Sequence, residues 1–341
     1  MAESGVTAFI EKNRAYIIFI PLFIMLPALF FGCGSGGGSG GGSITTTLPE
    51  QPTVIVASDL TLDTAPNSFD IYRATNADKT VIFLHGGGGT KHNFAYELGI
   101  NLSKVGSDYS DVNEQVLIDN KVLAVFPQGK AIAEEPKAYT WENYVMTSGG
   151  DDMQFMSDLV AFINAQYKIT RFFIVGHSNG GMMVNRIWCE APEIFDAYIA
   201  ISGPPSEHFL NSAACSPVVV RPYMGIVGSD DMVLQDVSHW EDQTWTIDPW
   251  VVSASPKAFI DPVIIGERSF LQDRVTAKCS GIVDGGDADA TVNGSITTWS
   301  FCNDSIQLVR VDSAGHSIGS LESVSGSTML DMIFEFIARV E

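Results

Sequence analysis

The chain has 341 residues, 45% of them hydrophobic, enough for one large core or two smaller ones. Forty acidic residues stand against 19 basic ones, a net charge of −21. A surface that negative repels phosphate backbones and anionic headgroups, which argues against nucleic acid as a partner, suits neutral ligands and mildly favours a monomer.

The first 43 residues stand apart from the fold. Lys12 and Arg14 precede "AYIIFIPLFIMLPALFFGC", an apolar run interrupted by Pro21 and Pro27. It is long for the apolar part of a signal peptide and slightly short for a membrane span of about 20 residues. Gly32 and Cys33 lead into "GSGGGSGGGS", a flexible coil whose ten or so residues reach roughly 18 Å. The segment looks like a bacterial lipoprotein signal, although Phe30 stands where leucine is usual and Phe31 is large for its place. On that reading 1–32 is the signal, Cys33 carries the lipid and 33–43 is a tether, the only route to membrane contact. An ordinary cleaved signal and an uncleaved anchor are the alternatives, and all three export the body. In an oxidising compartment the four remaining cysteines suggest two disulfides. Of the three possible pairings, Cys189–Cys215 with Cys279–Cys302 closes the shortest loops.

The body, 44–341, is expected to be one domain. "TVIVAS" and "FDIYRA" read as early strands. "TVIFLHGGGGT" (Thr80–Thr90) is a short β-rich run that stops in four glycines, and "KVLAVFPQG" (Lys121–Gly129) is another buried strand. Over 151–167 the period changes: Met153, Met156, Val160, Ile163 and Tyr167 lie on one helical face, with Asp151 or Asp152 as the cap. "RFFIVG" follows as a strand, "NGGMMVNRIWCEA" as a helix, and "AYIAISG", "PYMGIVG" and "SIQLVRV" as further strands. "STMLDMIFEFIARV" closes the chain as a helix with Leu330, Ile333, Ile337 and Val340 on one face. Wholly apolar strands alternating with helices predict a mostly parallel sheet covered on both faces. Residues 234–300, rich in Trp, Asp and Pro, break the alternation and read as an insertion.

Ligands of open parallel sheets bind beyond the carboxyl ends of the strands. Ser178 lies there, in "GHSNG", between a strand and a helix. The pattern G-x-S-x-G uses Gly176 and Gly180 to make a tight turn that pushes a serine hydroxyl out of the sheet, and the following helix aims amides at whatever it attacks. Such a serine needs a base, and the base needs a carboxylate, in the chain order Ser, acid, His. Of the histidines after it, His208 precedes any acid candidate and His239 sits in the insertion. His316, in "DSAGHSIG" after a strand, is the candidate base. Asp230 and Asp231 both follow "PYMGIVG" and compete as the acid. Amides of Gly86 and Gly87, in "HGGGG", and of Asn179 are the candidate oxyanion donors. "HGGGG" lacks both the G-K-[ST] ending and the G-x-G-x-x-G spacing of a phosphate loop, and no His/Cys/Asp cluster has metal-ligand spacing. No cofactor is expected.

These residues together resemble the α/β-hydrolase esterases grouped with polyhydroxybutyrate depolymerases and feruloyl esterases. The likeness runs from about Thr80 to His316, through "VIFLHGGGGT", "DDMQFMSDLV" and "GHSNGGMM…CEAPEIFDAYIAISG", with a gap across the insertion. "GSDD" is similar to that family's "GTAD", which places the acid at Asp231. "AKCSGI…TTWSFC…VRVDSAGHS" resembles its cysteine-flanked stretch before the histidine and so supports Cys279–Cys302. The adjacent cysteines that the family often carries after its "TWN" are missing from "YTWENYVMTSGGDD", and Met232 follows Asp231 where proline is usual. The resemblance implies an α/β-hydrolase fold and an exported serine esterase acting on small or polymeric esters. A peptidase with the same machinery and an inactive surface-binding scaffold are the rival readings. His177, Trp141 and Tyr144, with the evenly spaced Trp240, Trp245 and Trp250, are candidates for the substrate pocket. For the tryptophans and Tyr144, core packing is the alternative.

Overall fold

The apolar runs that end at Leu84, Pro127 and Ile201 each meet a glycine two residues later. The computed structural model describes residues 54–106, 108–131, 138–144, 149–203, 219, 221–235, 290–301 and 303–341. They fall in one unit, Thr53–Glu341. In chain order they form β1 (Val54–Leu62), β2 (Ala65–Ala74), β3 (Lys79–Leu84), α1 (Lys91–Glu97), α2 (Glu114–Asp119), β4 (Val122–Pro127), β5 (Lys130–Ala131) and β6 (Tyr139–Thr140). Then come α3 (Asp152–Tyr167), β7 (Phe172–His177), α4 (Asn179–Glu190), β8 (Ala197–Ile201), β9 (Tyr223–Gly228) and α5 (Met232–Gln235). The chain closes with β10 (Ala290–Asn293), β11 (Ile296–Phe301), β12 (Ile306–Val311), α6 (Ile318–Ser325) and α7 (Met329–Val340). The expected signal, Cys33 and tether lie outside the described residues, as do Cys215, Cys279, Cys302, Trp240, Trp245, Trp250 and most of the expected insertion. Among the described residues no helix is long and apolar enough to cross a membrane.

A ten-stranded sheet runs in the order β1-β2-β4-β3-β7-β8-β9-β12-β11-β10. From β4 to β12 every neighbouring pair is parallel, and the two outer pairs at each edge are antiparallel. The chain places β4 on one side of β3 and β7 on the other. The strand order therefore reverses at β3, the position where an open α/β sheet leaves a crevice. β3 and β7 run level there, Leu84 opposite Gly176, so the loops after them emerge side by side.

The central parallel strands are mostly apolar because both faces are covered. Ile82 and Leu84 of β3 and Ile174 of β7 share one core with Phe155, Met156, Leu159 and Ile163 of α3 and Met183, Ile187 and Trp188 of α4. Val81, Phe83, Phe173 and Val175 point the other way, into a core with Phe94 of α1, Ile318 and Leu321 of α6 and Ile333 and Ile337 of α7. In α3 the buried stripe is Asp152, Phe155, Met156, Leu159 and Ile163; the expected Met153, Val160 and Tyr167 flank it, half-buried. Asp151 is the cap, accepting from the Gln154 amide, while Asp152 is buried and accepts from the Glu142 amide instead.

The insertion expected over 234–300 ends earlier than the sequence reading placed it. Residues 290–301 are β10 and β11, which continue the main sheet. Asn293 pairs with Ile296 across a two-residue turn whose first residue, Gly294, has φ 60°, where a side chain would be strained. The alternation is hidden because a polar residue, Thr297, shares the buried face of β11 with Trp299.

Candidate active site

The turn after β7 carries its strain at the serine. Ser178 has φ 54° and ψ −120°, a region that residues with a side chain rarely adopt. The flanking glycines serve by their size. A Cβ on Gly176 would lie 2.2 Å from the Gly180 carbonyl oxygen, and one on Gly180 would lie 2.3 Å from that of Leu84. The Ser178 amide donates to Ile201 O (2.8 Å), which fixes the turn against β8. Ser178 is the first residue before α4, yet its hydroxyl makes no capping bond and reaches His316 instead.

Parallel register brings the partners to it. Gly228 pairs with Val311, so the loops after β9 and β12 leave the sheet together. They are lashed by Ser229 N to Val311 O (3.0 Å) and Asp230 N to Ala314 O (2.8 Å). His316 Nδ1 lies 2.8 Å from Asp231 Oδ2, and its Nε2 lies 2.9 Å from Ser178 Oγ. Asp231 is 1% exposed, and its Oδ1 accepts the amides of Val233 and Leu234, both at 3.1 Å. An ionised carboxylate can only accept, so Nδ1 carries the proton and Nε2 is left to accept from the serine hydroxyl. Asp230, the other acid candidate, is exposed, and its carboxylate takes the Ser229 hydroxyl (2.9 Å). His208 and His239 lie outside the described residues.

His177, a candidate substrate contact in the sequence, bonds instead to the backbone of His316. Its Nε2–H donates to the His316 carbonyl (2.9 Å), and its ring lies between those of His316 (5.1 Å) and Phe94 (6.2 Å). Burial, and next the charge of a protonated His316, push its pKa down to about 4, so the ring stays neutral at pH 7.

Gly86 lies against Ser178: a Cβ there would meet Ser178 Cβ at 3.3 Å and His177 Nδ1 at 3.2 Å. Later amides of the glycine loop are used internally, Gly88 N to Tyr139 O (2.8 Å) and Gly89 N to Gly86 O (3.0 Å). Among the described residues no backbone carbonyl takes the amides of Gly86 or Gly87. Asn179 opens α4 beside them. Its side chain clasps the backbone of Trp141 at both polar atoms, Oδ1 accepting from Trp141 N (2.8 Å) and Nδ2 donating to Trp141 O (3.3 Å).

Two of the expected pocket aromatics are elsewhere. Trp141 is fully buried and offers no surface to a ligand; its Nε1–H donates to His85 O (2.9 Å). Tyr144 is exposed, with the Arg186 guanidinium 4.5 Å from its ring centre and its hydroxyl donating to Glu190 (2.6 Å). Glu190 ends α4, roughly 16 Å along the helix from its start beside Ser178. Trp240 lies outside the described residues. His85, passed over in the sequence as part of the glycine motif, is 1% exposed with both ring nitrogens engaged.

A family model described as alpha/beta hydrolase fold matches residues 79–216, from β3 past the serine turn. With the sheet order and the serine on the turn after β7, the chain is an α/β-hydrolase by fold. No curated protein matches its sequence. Among solved structures, esterase PE8 is 18% identical, with 80% of this chain and 97% of that one covered at a TM-score of 0.45. The Pyrococcus furiosus esterase Pf2001 is 16% identical, with 84% and 92% covered at 0.44. A dienelactone hydrolase from Anabaena variabilis is 14% identical, with 85% and 99% covered at 0.42. Likenesses this distant carry no weight for the reaction or its substrate.

Proposed function

We propose that this chain is a serine esterase that hydrolyses carboxylic esters through an acyl-enzyme on Ser178. The observation that carries the reading is the unbroken hydrogen-bond path from Asp231 Oδ2 through the His316 ring to Ser178 Oγ. As Ser178 Oγ bonds to the ester carbonyl carbon, its proton passes to His316 Nε2 and the carbonyl electron pair moves onto oxygen. Amides of Gly86, Gly87 and Asn179 receive that oxyanion; losing one such donor typically costs about 10²–10³ in turnover. Asp231 stays ionised, holds the ring and stabilises the imidazolium. Collapse of the adduct breaks the bond to the alcohol, which leaves with the proton from His316. Water then attacks the acyl-enzyme, giving its proton to His316; as that adduct collapses the proton passes to Ser178 Oγ, and the serine is released with the acid product.

The resemblance to polyhydroxybutyrate depolymerases and feruloyl esterases supports hydroxyalkanoate oligomers, aryl esters and synthetic polyesters as substrates. The N-terminal segment supports export, with the body tethered by lipid on Cys33. The test is a panel of these esters and of peptide anilides, with Ser178→Ala as the blank and a fluorophosphonate probe on the wild type. Turnover of esters, a probe adduct on Ser178 and no anilide release are expected. Anilide release at comparable rates would make the protein a peptidase, and no adduct would make it a binding scaffold.

A further inference from the structure

We infer that Trp141 and His85 are positioning residues that aim the oxyanion amides, each by holding one carbonyl of the glycine loop. The inference deepens the esterase reading and rests on it. In a trans peptide the carbonyl and the following N–H point in opposite directions. Whatever fixes His85 O therefore fixes the direction of the Gly86 amide, and whatever fixes Gly86 O fixes that of Gly87. Trp141 Nε1–H takes the first carbonyl at 2.9 Å. His85 Nδ1–H takes the second at 2.7 Å, with the Gly89 amide on the same oxygen at 3.0 Å.

Both donors are themselves immobile. The His85 ring stands 5.2 Å from that of Trp141, and its Nε2 accepts from the Gly129 amide (3.0 Å) and from Gln128 Nε2 (2.8 Å). Those two donors force the ring proton onto Nδ1, where the Gly86 carbonyl needs it. Gln128 is held in turn by the Lys91 amide, which donates to its Oε1 (3.1 Å). Trp141 is clasped at its backbone by the side chain of Asn179, whose own amide is the third oxyanion donor. One buried tryptophan thus couples the two halves of the donor set, which come from loops more than 90 residues apart in the chain. Fixed donors cost no reorganisation as charge develops, which is where such sites gain rate.

The test removes the indole N–H and keeps the shape: Trp141→Phe, and Trp141→3-benzothienylalanine, in which sulfur replaces only the N–H. On p-nitrophenyl esters we expect kcat to fall at least about tenfold, towards the 10²–10³ of a lost donor, with KM within about threefold. The inhibition constant of a trifluoromethyl ketone, which forms a tetrahedral oxyanion on Ser178, should rise by the factor by which kcat/KM falls. A residue that only supports the fold would lower the melting temperature without that proportionality. If the phenylalanine variant does not fold, the isosteric one decides. Wild-type kcat in the isosteric variant, or a loss confined to KM, overturns the inference and leaves the esterase standing. A wild type that neither turns over esters nor reacts with fluorophosphonate overturns both.

Discussion

Asp231→Asn tests the proposed triad at the point where the structure is most demanding. Asp231 Oδ1 accepts two backbone amides, from Val233 and Leu234, and only an oxygen can occupy that place. Asparagine must therefore turn its NH₂ group towards His316 Nδ1, where Oδ2 now sits at 2.8 Å. A donor there forces the ring to accept at Nδ1 and to carry its proton on Nε2, and the serine then has no base. A carboxylate-to-amide change that imposes the wrong tautomer costs about 10⁴ in kcat, or about 5.4 kcal/mol at 1.36 kcal/mol per decade. Asp230→Asn, one residue away, changes an exposed carboxylate that accepts the Ser229 hydroxyl and should leave kcat within about twofold. The assay is steady-state hydrolysis of p-nitrophenyl esters at pH 8, after unfolding curves show both variants folded. A loss below tenfold for Asp231→Asn, or equal losses for the two variants, would refute the assignment.

Other outcomes follow from the same contacts. Gly180→Ala would press a methyl 2.3 Å from Leu84 O and 2.7 Å from His85 O, and should destabilise by about 3 kcal/mol or more in urea unfolding, whereas Gly319→Ala on α6 meets nothing within 4 Å and should stabilise by up to about 1 kcal/mol. Burial pushes the pKa of His85, like that of His177, down to about 4 from 6.5. Between those pH values the unfolded chain binds protons that the folded one refuses, so stability is complete above pH 6.5 and falls as pH drops towards 4, by about 3 kcal/mol for each ring. Urea midpoints across that range should show His177→Gln losing about half as much as the wild type. Non-reducing peptide mapping should yield linked Cys189–Cys215 and Cys279–Cys302 peptides, each bridge contributing about 3 kcal/mol, and Cys33→Ser should abolish palmitate labelling.

The parallel strands and their order of appearance were legible because each is a short apolar run with its own breaker, a signal that needs no distant partner. Ser178 was legible for the same reason: strand, glycine, serine, glycine and helix are contiguous. The choice between Asp230 and Asp231 could not be made from spacing, since both follow β9; it is decided by which side chain turns inward once Asp231 Oδ1 caps the start of α5. For Trp141 the sequence leaves pocket and core open, because an aromatic residue near a site looks the same in either place, and the carbonyl that accepts its indole N–H belongs to His85, 56 residues away. The β10–β11 hairpin was absorbed into the insertion because Thr297 breaks its apolar alternation, although Asn293-Gly294 was a turn signal in plain view.

The geometry of the sheet explains why the base needs so many restraints. Ser178 follows β7 and His316 follows β12, three strand spacings away with β8 and β9 between, or roughly 14 Å at about 4.8 Å per spacing. The loop after β12 has to lean back across the ends of β9 and β8 to deliver its imidazole. It can do so because Gly228 has no side chain: a Cβ there would lie 2.3 Å from the Ala314 carbonyl oxygen. The loop is then anchored at its far end by His177, whose N–H holds the His316 carbonyl from the end of β7, directly before the serine. In the proposed acyl-enzyme the serine hydroxyl would no longer donate to His316, whereas the bond from His177 to its backbone would remain.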